Sequence, residues 1–357
     1  MIFDSESVFE ENVITVLKQH GWKDGVLRYP TERDLLDNWK GILYRNNNDI
    51  DRLGKYPLTD GEMTQIIEQI ETLRTPLALN SFVNGRTVSI TRDNKEDVAH
   101  FGKEVSLYIY DRKEIAGGKS TYQIAQQPVY PAKNKMLNSR RGDLVLLING
   151  MPLIHIELKK SGIPVSQATN QIEKYAHEGV FTGLFRLVQI FVAMNPDDAV
   201  YFANPGVDKF NPSYYFHWAD YNNEPICGGQ NPGKDEWKLF IGGTSGTAGL
   251  LSIPMAHQLI GFYTIADSAD GCLKVLRSYQ YIAANAISDV VRKCDWEQRP
   301  ATPGRPGGYV WHTTGSGKTM TSFKSAQLIA DSHDADKVVF LMDRIELGTQ
   351  SLKEYRS

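Results

Sequence analysis

R-R-G-D-L-V-L-L-I-N-G-M-P-L-I-H-I-E-L-K, residues 140–159, reads as two apolar strands joined at Asn149-Gly150. Asn-Gly is a strong hairpin signal, because both central residues of the tight turn need positive φ. Asp143 opens the first strand, and Glu157 and Lys159 stand at the end of the second. The runs between them, L-V-L-L-I and L-I-H-I, are apolar enough to lie in a sheet core. Charges that terminate buried strands need a reason to be there, because an unpaired buried charge is expensive.

Register decides whether these charges can act together. A two-residue turn pairs Ile148 with Met151 and sets Asp143 opposite Ile156, so Asp143 and Glu157 point to opposite sides of the sheet. A three-residue loop, Asn149-Gly150-Met151, pairs Ile148 with Pro152. It brings Asp143 opposite Glu157, on one face with Lys159. The expectation is the longer loop, or a bulge with the same one-residue effect. An ordinary hairpin with Glu157 and Lys159 on a wet face is the competing reading.

The residue types suit metal-assisted phosphodiester chemistry. Two carboxylates offer hard oxygen ligands to Mg²⁺ and leave positions for water and phosphate. Lys159 can orient water and offset charge in the transition state. A helix expected at Ser166 to His177 places Gln171 and Tyr175 four residues apart on one face, and Gln167 extends the stripe. An ordinary polar helix face competes with a functional one.

Upstream, Ser7 to His20 has the apolar spacing of an amphipathic helix, with Gly21 as its stop. A polar stretch around Asn46 to Asn48 and a helix around Met63 to Leu73 follow. From Thr87 the pattern turns to strands: T-V-S-I, V-S-L-Y-I-Y and T-Y-Q-I-A-Q-Q-P-V-Y. Downstream of the Gln171 helix, V-Q-I-F-V-A-M reads as a buried strand. Asp197 to Ala248 reads as irregular excursions of the first domain, with a linker as the alternative. A helix is expected from about Gly271 to Lys293, and then a Pro/Gly-rich connection, Arg299 to Gly308.

The segment G-Y-V-W-H-T-T-G-S-G-K-T-M-T-S-F predicts a strand, a phosphate loop and a helix, followed by the strand V-V-F-L-M. Gly315, Ser316 and Gly317 let backbone N–H groups approach phosphate at a helix start. Lys318 would reach the β- and γ-phosphates of ATP, and the Thr319 hydroxyl would hold its Mg²⁺. His312 stands where the usual pattern has its first glycine. A Gly/Ser turn that happens to precede Lys-Thr is the alternative.

The totals fit this reading. The chain has 357 residues, 41% of them hydrophobic and 23% charged, enough for two or three domains with proper cores. Its formal net charge of −3 gives no global footprint for nucleic acid, so any contact needs local basic stretches such as Lys133, Lys135, Arg140 and Arg141. Cys227, Cys272 and Cys294 have neither zinc spacing nor a disulfide pattern. No run suggests a membrane span or a secretory signal, so cytoplasm is the expected location and no membrane partner is expected.

Asp143 followed by Glu157-x-Lys159 across a hairpin resembles the PD-(D/E)xK nuclease fold, although Gly142 stands where that pattern has proline. Arg277-Ser278-Tyr279-Gln280 resembles the upstream adenine-reading element of superfamily-two helicases, with Gln280 as the base contact. Met342 to Leu347 resembles the next helicase motif. The whole order resembles the restriction subunit of type I restriction-modification enzymes, carried by the hairpin string, N-Q-I-E-K-Y, R-S-Y-Q-Y-I-A-A-N-A-I and W-H-T-T-G-S-G-K-T-M-T. That resemblance implies an α/β chain. A restriction-endonuclease-like domain would occupy residues 1–260, and the start of a RecA-like lobe 261–357. Asp143 and Glu157 become metal ligands, Lys159 the catalytic lysine, and Gln171 and Tyr175 residues needed for cleavage; Glu10 sits where related nucleases bring an extra acid. Double-stranded DNA and the modification and specificity subunits are the implied partners. No acidic Asp-Glu box follows Asp343, so this chain by itself is expected to bind ATP poorly and hardly turn it over. A stand-alone nuclease–helicase and a docking module with an inert nuclease motif are the alternatives.

Overall fold

The protein is described from a computed structural model that covers residues 2–115, 117–131, 140–268, 271–293 and 307–341. Helix α1 (Glu6–Gln19) is followed by β1 (Val26–Arg28), α2 (Glu32–Asn46), α3 (Asp60–Thr72) and α4 (Pro76–Asn84). The strands β2 (Thr87–Thr91), β3 (Glu104–Tyr108), β4 (Tyr122–Gln126), β5 (Leu144–Ile148) and β6 (Met151–Leu158) come next. Then follow α5 (Val165–His177), β7 (Ile190–Met194), β8 (Ala199–Ala203), α6 (Glu236–Gly242) and α7 (Met255–Gly261). The last elements are β9 (Thr264–Asp267), β10 (Cys272–Val275), α8 (Ser278–Lys293) and α9 (Lys318–Ser332). Helix starts are set by local chemistry. Thr31 and Thr59 form reciprocal caps with Asp34 and Glu62, and Thr75 caps α4 ahead of Pro76.

Six strands form a mixed sheet in the order β1-β4-β5-β6-β7-β8. The β1/β4 and β6/β7 pairs are parallel and the others antiparallel. Strands β5 to β8 are buried along their whole length, which explains their unbroken apolar runs. On one face Ala168 and Ile172 of α5 pack against Phe191, Ala193, Val200 and Phe202. On the other, Ile190, Val192 and Met194 join a larger core with Phe9, Val13 and Leu17 of α1. In the β6/β7 ladder His155 pairs with Phe191 and Glu157 with Ala193. Directly paired residues share a face, so His155 and Glu157 lie on the α5 side.

Several expectations need correction. Residues 272–275 form a strand paired with β9, so the helix expected from Gly271 begins only at Ser278. The stretch 197–248 contributes the edge strand β8 and buries Trp218 and Trp237 in the same core as α1, in keeping with an excursion of the first domain, and it is the linker alternative that falls. Residues 307–313 and 337–341 lie outside any strand or helix, so neither strand expected beside the phosphate loop is formed. Tyr309, Trp311, Val339 and Leu341 are each more than four-fifths exposed, whereas strands of a parallel core are held by neighbours on both edges and both faces. Met342 to Leu347, Cys294, Lys133 and Lys135 lie outside the described residues. Among the described residues no helix is long and apolar enough to cross a membrane.

Candidate active site and nucleotide loop

The hairpin turns through Asn149 (φ 53°) and Gly150 (φ 83°), and Ile148 pairs with Met151. The three-residue loop is therefore not what forms. The register instead shifts between Leu146 and Leu147: Leu147 pairs with Pro152, Leu146 with Ile154, and Leu153 is the extra residue. Pro152 donates nothing to the ladder, and the Leu153 carbonyl accepts from Gln189 N ahead of β7 at 2.9 Å. Leu144 then pairs with Ile156, which carries Asp143 opposite Glu157 on the α5 face.

Glu157 is buried and Asp143 half-buried. The Asp143 Oδ2 accepts from Leu158 N at 2.7 Å. Glu157 is fully buried, and with both acids ionised neither of its oxygens has a hydrogen-bond donor. Burial, then the charge of Glu157, holds the Asp143 carboxyl well above the usual carboxylate range. Burial pushes Glu157 up to about 7, against the pull of Lys159 and a hydrogen bond with Asp143. A proton shared between the two acids supplies the missing donor and removes one of two adjacent charges. Lys159 Nζ stands 3.6 Å from Glu157 Oε1 and 3.7 Å from Glu6 Oε1, and donates to the Leu158 carbonyl at 2.8 Å.

Glu10 of α1 is also buried, with Oε1 accepting from Gln126 at 2.6 Å and from Gln127 at 3.2 Å. Burial raises its carboxyl, and the charge of Asp143 adds to the shift. Among the described residues no cluster of three or more His, Cys, Asp or Glu side chains is gathered as a metal site. The fit to a cation rests on the pair alone: a buried carboxyl whose two oxygens lack donors, a half-buried one opposite it, and a lysine beside them. Hard oxygen donors of this kind suit Mg²⁺.

Gln171 donates to the Tyr175 hydroxyl at 2.7 Å, and Tyr175 donates to the Arg141 carbonyl at 2.9 Å. Both sit on the α5 side of the sheet, and Tyr175 is raised to about 12 by burial and then by the charge of Glu157. Gln167 lines a groove beside them with Asn170, Lys174 and Arg140. Arg140 is held by Glu178 through two contacts of 2.8 Å, which neutralises part of the basic run. Gln126 at the end of β4, Gln127 and Tyr130 in the segment after it, and His155 of β6 complete the surroundings of the acids.

In the second candidate site, Gly315 and Gly317 have φ of 76° and 80° and lead into α9 at Lys318. No side chain caps α9, so its first N–H groups are open. Lys318 is exposed and reaches only the carbonyls of His312 and Thr313, both at 3.4 Å; Thr319 is half-buried. Tyr279 donates to the Ser316 carbonyl at 2.7 Å, and Gln280 to those of Ser316 and Gly317 at 3.4 and 3.3 Å. Gln280 thus holds the loop in this state. A cavity of about 620 Å³ opens between Gly315, Ser316, Gly317 and Gln280 on one side and Phe210, Tyr214 and Tyr215 on the other.

Residues 4–210 match the family described as type I restriction enzyme R protein N terminus. The chain belongs to this family. Residues 279–357 match the SWI2/SNF2 ATPase family. Among curated relatives, a type I restriction enzyme endonuclease subunit of Staphylococcus saprophyticus is 31% identical over 99% of this chain and 33% of its own length. One from Staphylococcus aureus is 32% identical with the same coverage. The EcoprrI endonuclease subunit of Escherichia coli is 26% identical over 87% of this chain and 90% of its own length. The chain spans about a third of the length of the staphylococcal relatives.

Proposed function

We propose that residues 1–260 are a Mg²⁺-dependent nuclease of the PD-(D/E)xK type acting on double-stranded DNA. Residues 261–357 are the opening part of a RecA-like, ATP-driven translocase of superfamily two. The observation that carries the reading is the bulge at Leu153, which gathers Asp143, Glu157 and Lys159 on one buried face of a hairpin. Asp143 and Glu157 would hold the metal, which when bound polarises the phosphodiester and generates hydroxide near neutral pH. Lys159 orients the attacking water and offsets the charge that develops on the phosphate. Tyr175 and Gln171 fix the chain entering Asp143, and Glu10 with its two glutamines closes the site on the α1 side.

In the motor, the N–H groups of Gly315 and Gly317 and of the uncapped start of α9 would cradle the phosphates of ATP. Lys318 would reach the β- and γ-phosphates, Thr319 would hold the nucleotide's Mg²⁺, and Gln280 would turn from the loop to the base. The family supports an assembly in which modification and specificity subunits complete the enzyme and read the target, with the whole complex acting in the cytoplasm.

The assembled complex, containing the full-length restriction subunit, tests this. With Asp143→Ala, Glu157→Ala or Lys159→Ala, Mg²⁺-dependent plasmid cleavage is lost while ATP hydrolysis continues. Loss of both activities in a well-folded variant refutes the division into nuclease and motor. Undiminished cleavage in all three supports a docking module with an inert motif.

A further inference from the structure

His155 stands two residues before Glu157 on β6, on the same face, with its ring wholly buried among Tyr130, Tyr175, Phe181 and Phe191. A histidine in such surroundings could be a packing residue with both nitrogens satisfied inside the core. Here only one is. Nδ1 lies 2.8 Å from the Tyr130 hydroxyl, while Nε2 has no hydrogen-bond partner. Nε2 lies 3.3 Å from Glu157 Oε2, itself buried and without a donor. Leaving either atom unmet would cost about 1–3 kcal/mol. A neutral ring that accepts from Tyr130 at Nδ1 carries its hydrogen on Nε2, beside Glu157 Oε2, and a small turn of the imidazole or the carboxylate brings the two into line and meets both needs at once.

A second observation, independent of the hydrogen bonding, shows that the backbone is shaped around this pair. A Cβ on Gly142 would stand 2.5 Å from the Tyr130 hydroxyl and 2.9 Å from His155 Cε1. No side chain fits there. The glycine before Asp143, at the place where the resembled pattern has proline, is what leaves room for tyrosine and imidazole behind the two acids.

We propose that His155, held by Tyr130, is a positioning residue for Glu157. It donates from Nε2 to Oε2 and so fixes the carboxylate with Oε1 toward Lys159. This rests on the nuclease reading above and adds to it a support behind the metal-binding acid. Groups that orient metal ligands in this way typically change metal affinity 10–100-fold when removed.

The test uses the complete subunit and reads Mg²⁺ binding by calorimetry and by the shift of Tm with Mg²⁺, beside cleavage as a function of Mg²⁺ concentration. His155→Phe keeps a ring in the core but has no donor, and is expected to weaken Mg²⁺ binding about 10–100-fold with ATP hydrolysis unchanged. In His155→Gln the amide nitrogen takes the place of Nε2, and most of the affinity should return. In His155→Asn it takes the place of Nδ1, and the affinity should stay low. The contrast between the two amides holds even if the phenylalanine variant fails to fold. Unaltered Mg²⁺ binding in His155→Phe, or equal losses in Gln and Asn, overturns the proposal and leaves His155 as packing. Glu157→Gln separates this from the nuclease reading. If it abolishes Mg²⁺ binding while His155→Phe does not, only the role of His155 falls; if it binds Mg²⁺ as well as wild type, the metal site itself falls.

Discussion

The Tyr175 hydroxyl donates to the Arg141 carbonyl, two residues ahead of Asp143, across 2.9 Å. A tyrosine hydroxyl has one hydrogen, and the Gln171 amide occupies a lone pair on its oxygen at 2.7 Å. The pair therefore fixes the approach of the chain to the first acid. Tyr175→Phe removes both hydrogen bonds near the surface of a well-packed core, a loss of about 1–3 kcal/mol. A Tm lower by a few degrees is expected, together with cleavage reduced about tenfold at unchanged ATP hydrolysis. Wild-type cleavage in Tyr175→Phe would show that the Arg141 anchor does not matter.

Lys318→Ala separates the other site. The Lys318 side chain is exposed and makes only two 3.4 Å contacts to its own loop, so its removal should leave the fold and Tm unchanged. ATP turnover and translocation by the assembled enzyme should be lost, and cleavage lost with them because it depends on motion. ATP-dependent cleavage that persists in Lys318→Ala would sink the phosphate-loop assignment.

The hairpin was legible because its signals are local: Asn149-Gly150 marks the turn, and apolar runs on both sides mark the core. Parity also required one extra residue on the second strand. Where that residue falls was not legible, since the choice of Leu153 depends on Pro152 beside it and on Gln189 across the sheet. Helix α2 has Leu35, Trp39, Ile42 and Leu43 at helical spacing, but the asparagines at its end are a competing loop signal. Residues 272–275 were absorbed into the helix that follows, as their strand character depends on pairing with β9. Gln126, Gln127 and Tyr130 come to the site from beyond the hairpin, and spacing along one chain carries no trace of that.

The turn offers a stability test that does not depend on function. At Gly150, φ is 83°, and a Cβ would lie 2.9 Å from the Trp39 backbone and ring. The left-handed conformation alone costs an alanine about 1–2 kcal/mol, and the collision with a fully buried tryptophan adds to it. Gly150→Ala should lower the denaturation midpoint by more than Gly118→Ala, at a positive-φ site with open space around it. Equal effects at the two glycines would mean that contact with Trp39 contributes nothing.

The acid pair should make stability depend on pH with a defined sign. Burial raises Glu157 from an ordinary value of 4.5 to about 7, so between those limits the folded chain holds a proton that the unfolded chain releases. Its contribution to stability therefore falls as pH rises from about 4.5 to about 7 and is flat above. His155 and His257, lowered to about 4 by burial, act in the opposite sense: they reduce stability as pH falls below about 6.5. Glu157→Gln keeps both histidines, so the difference between variant and wild type reports the acid pair, Glu157 together with the Asp143 it shifts. The variant should gain stability relative to wild type as pH rises through that window, in chelator and without metal. At pH 8, above the value of about 7 for Glu157, Mg²⁺ should raise the Tm of the wild type but not of Glu157→Gln. If instead the stability difference stays constant from pH 4.5 to 7, or Mg²⁺ raises both Tm values equally, the buried pair is not the group that exchanges its proton for a metal.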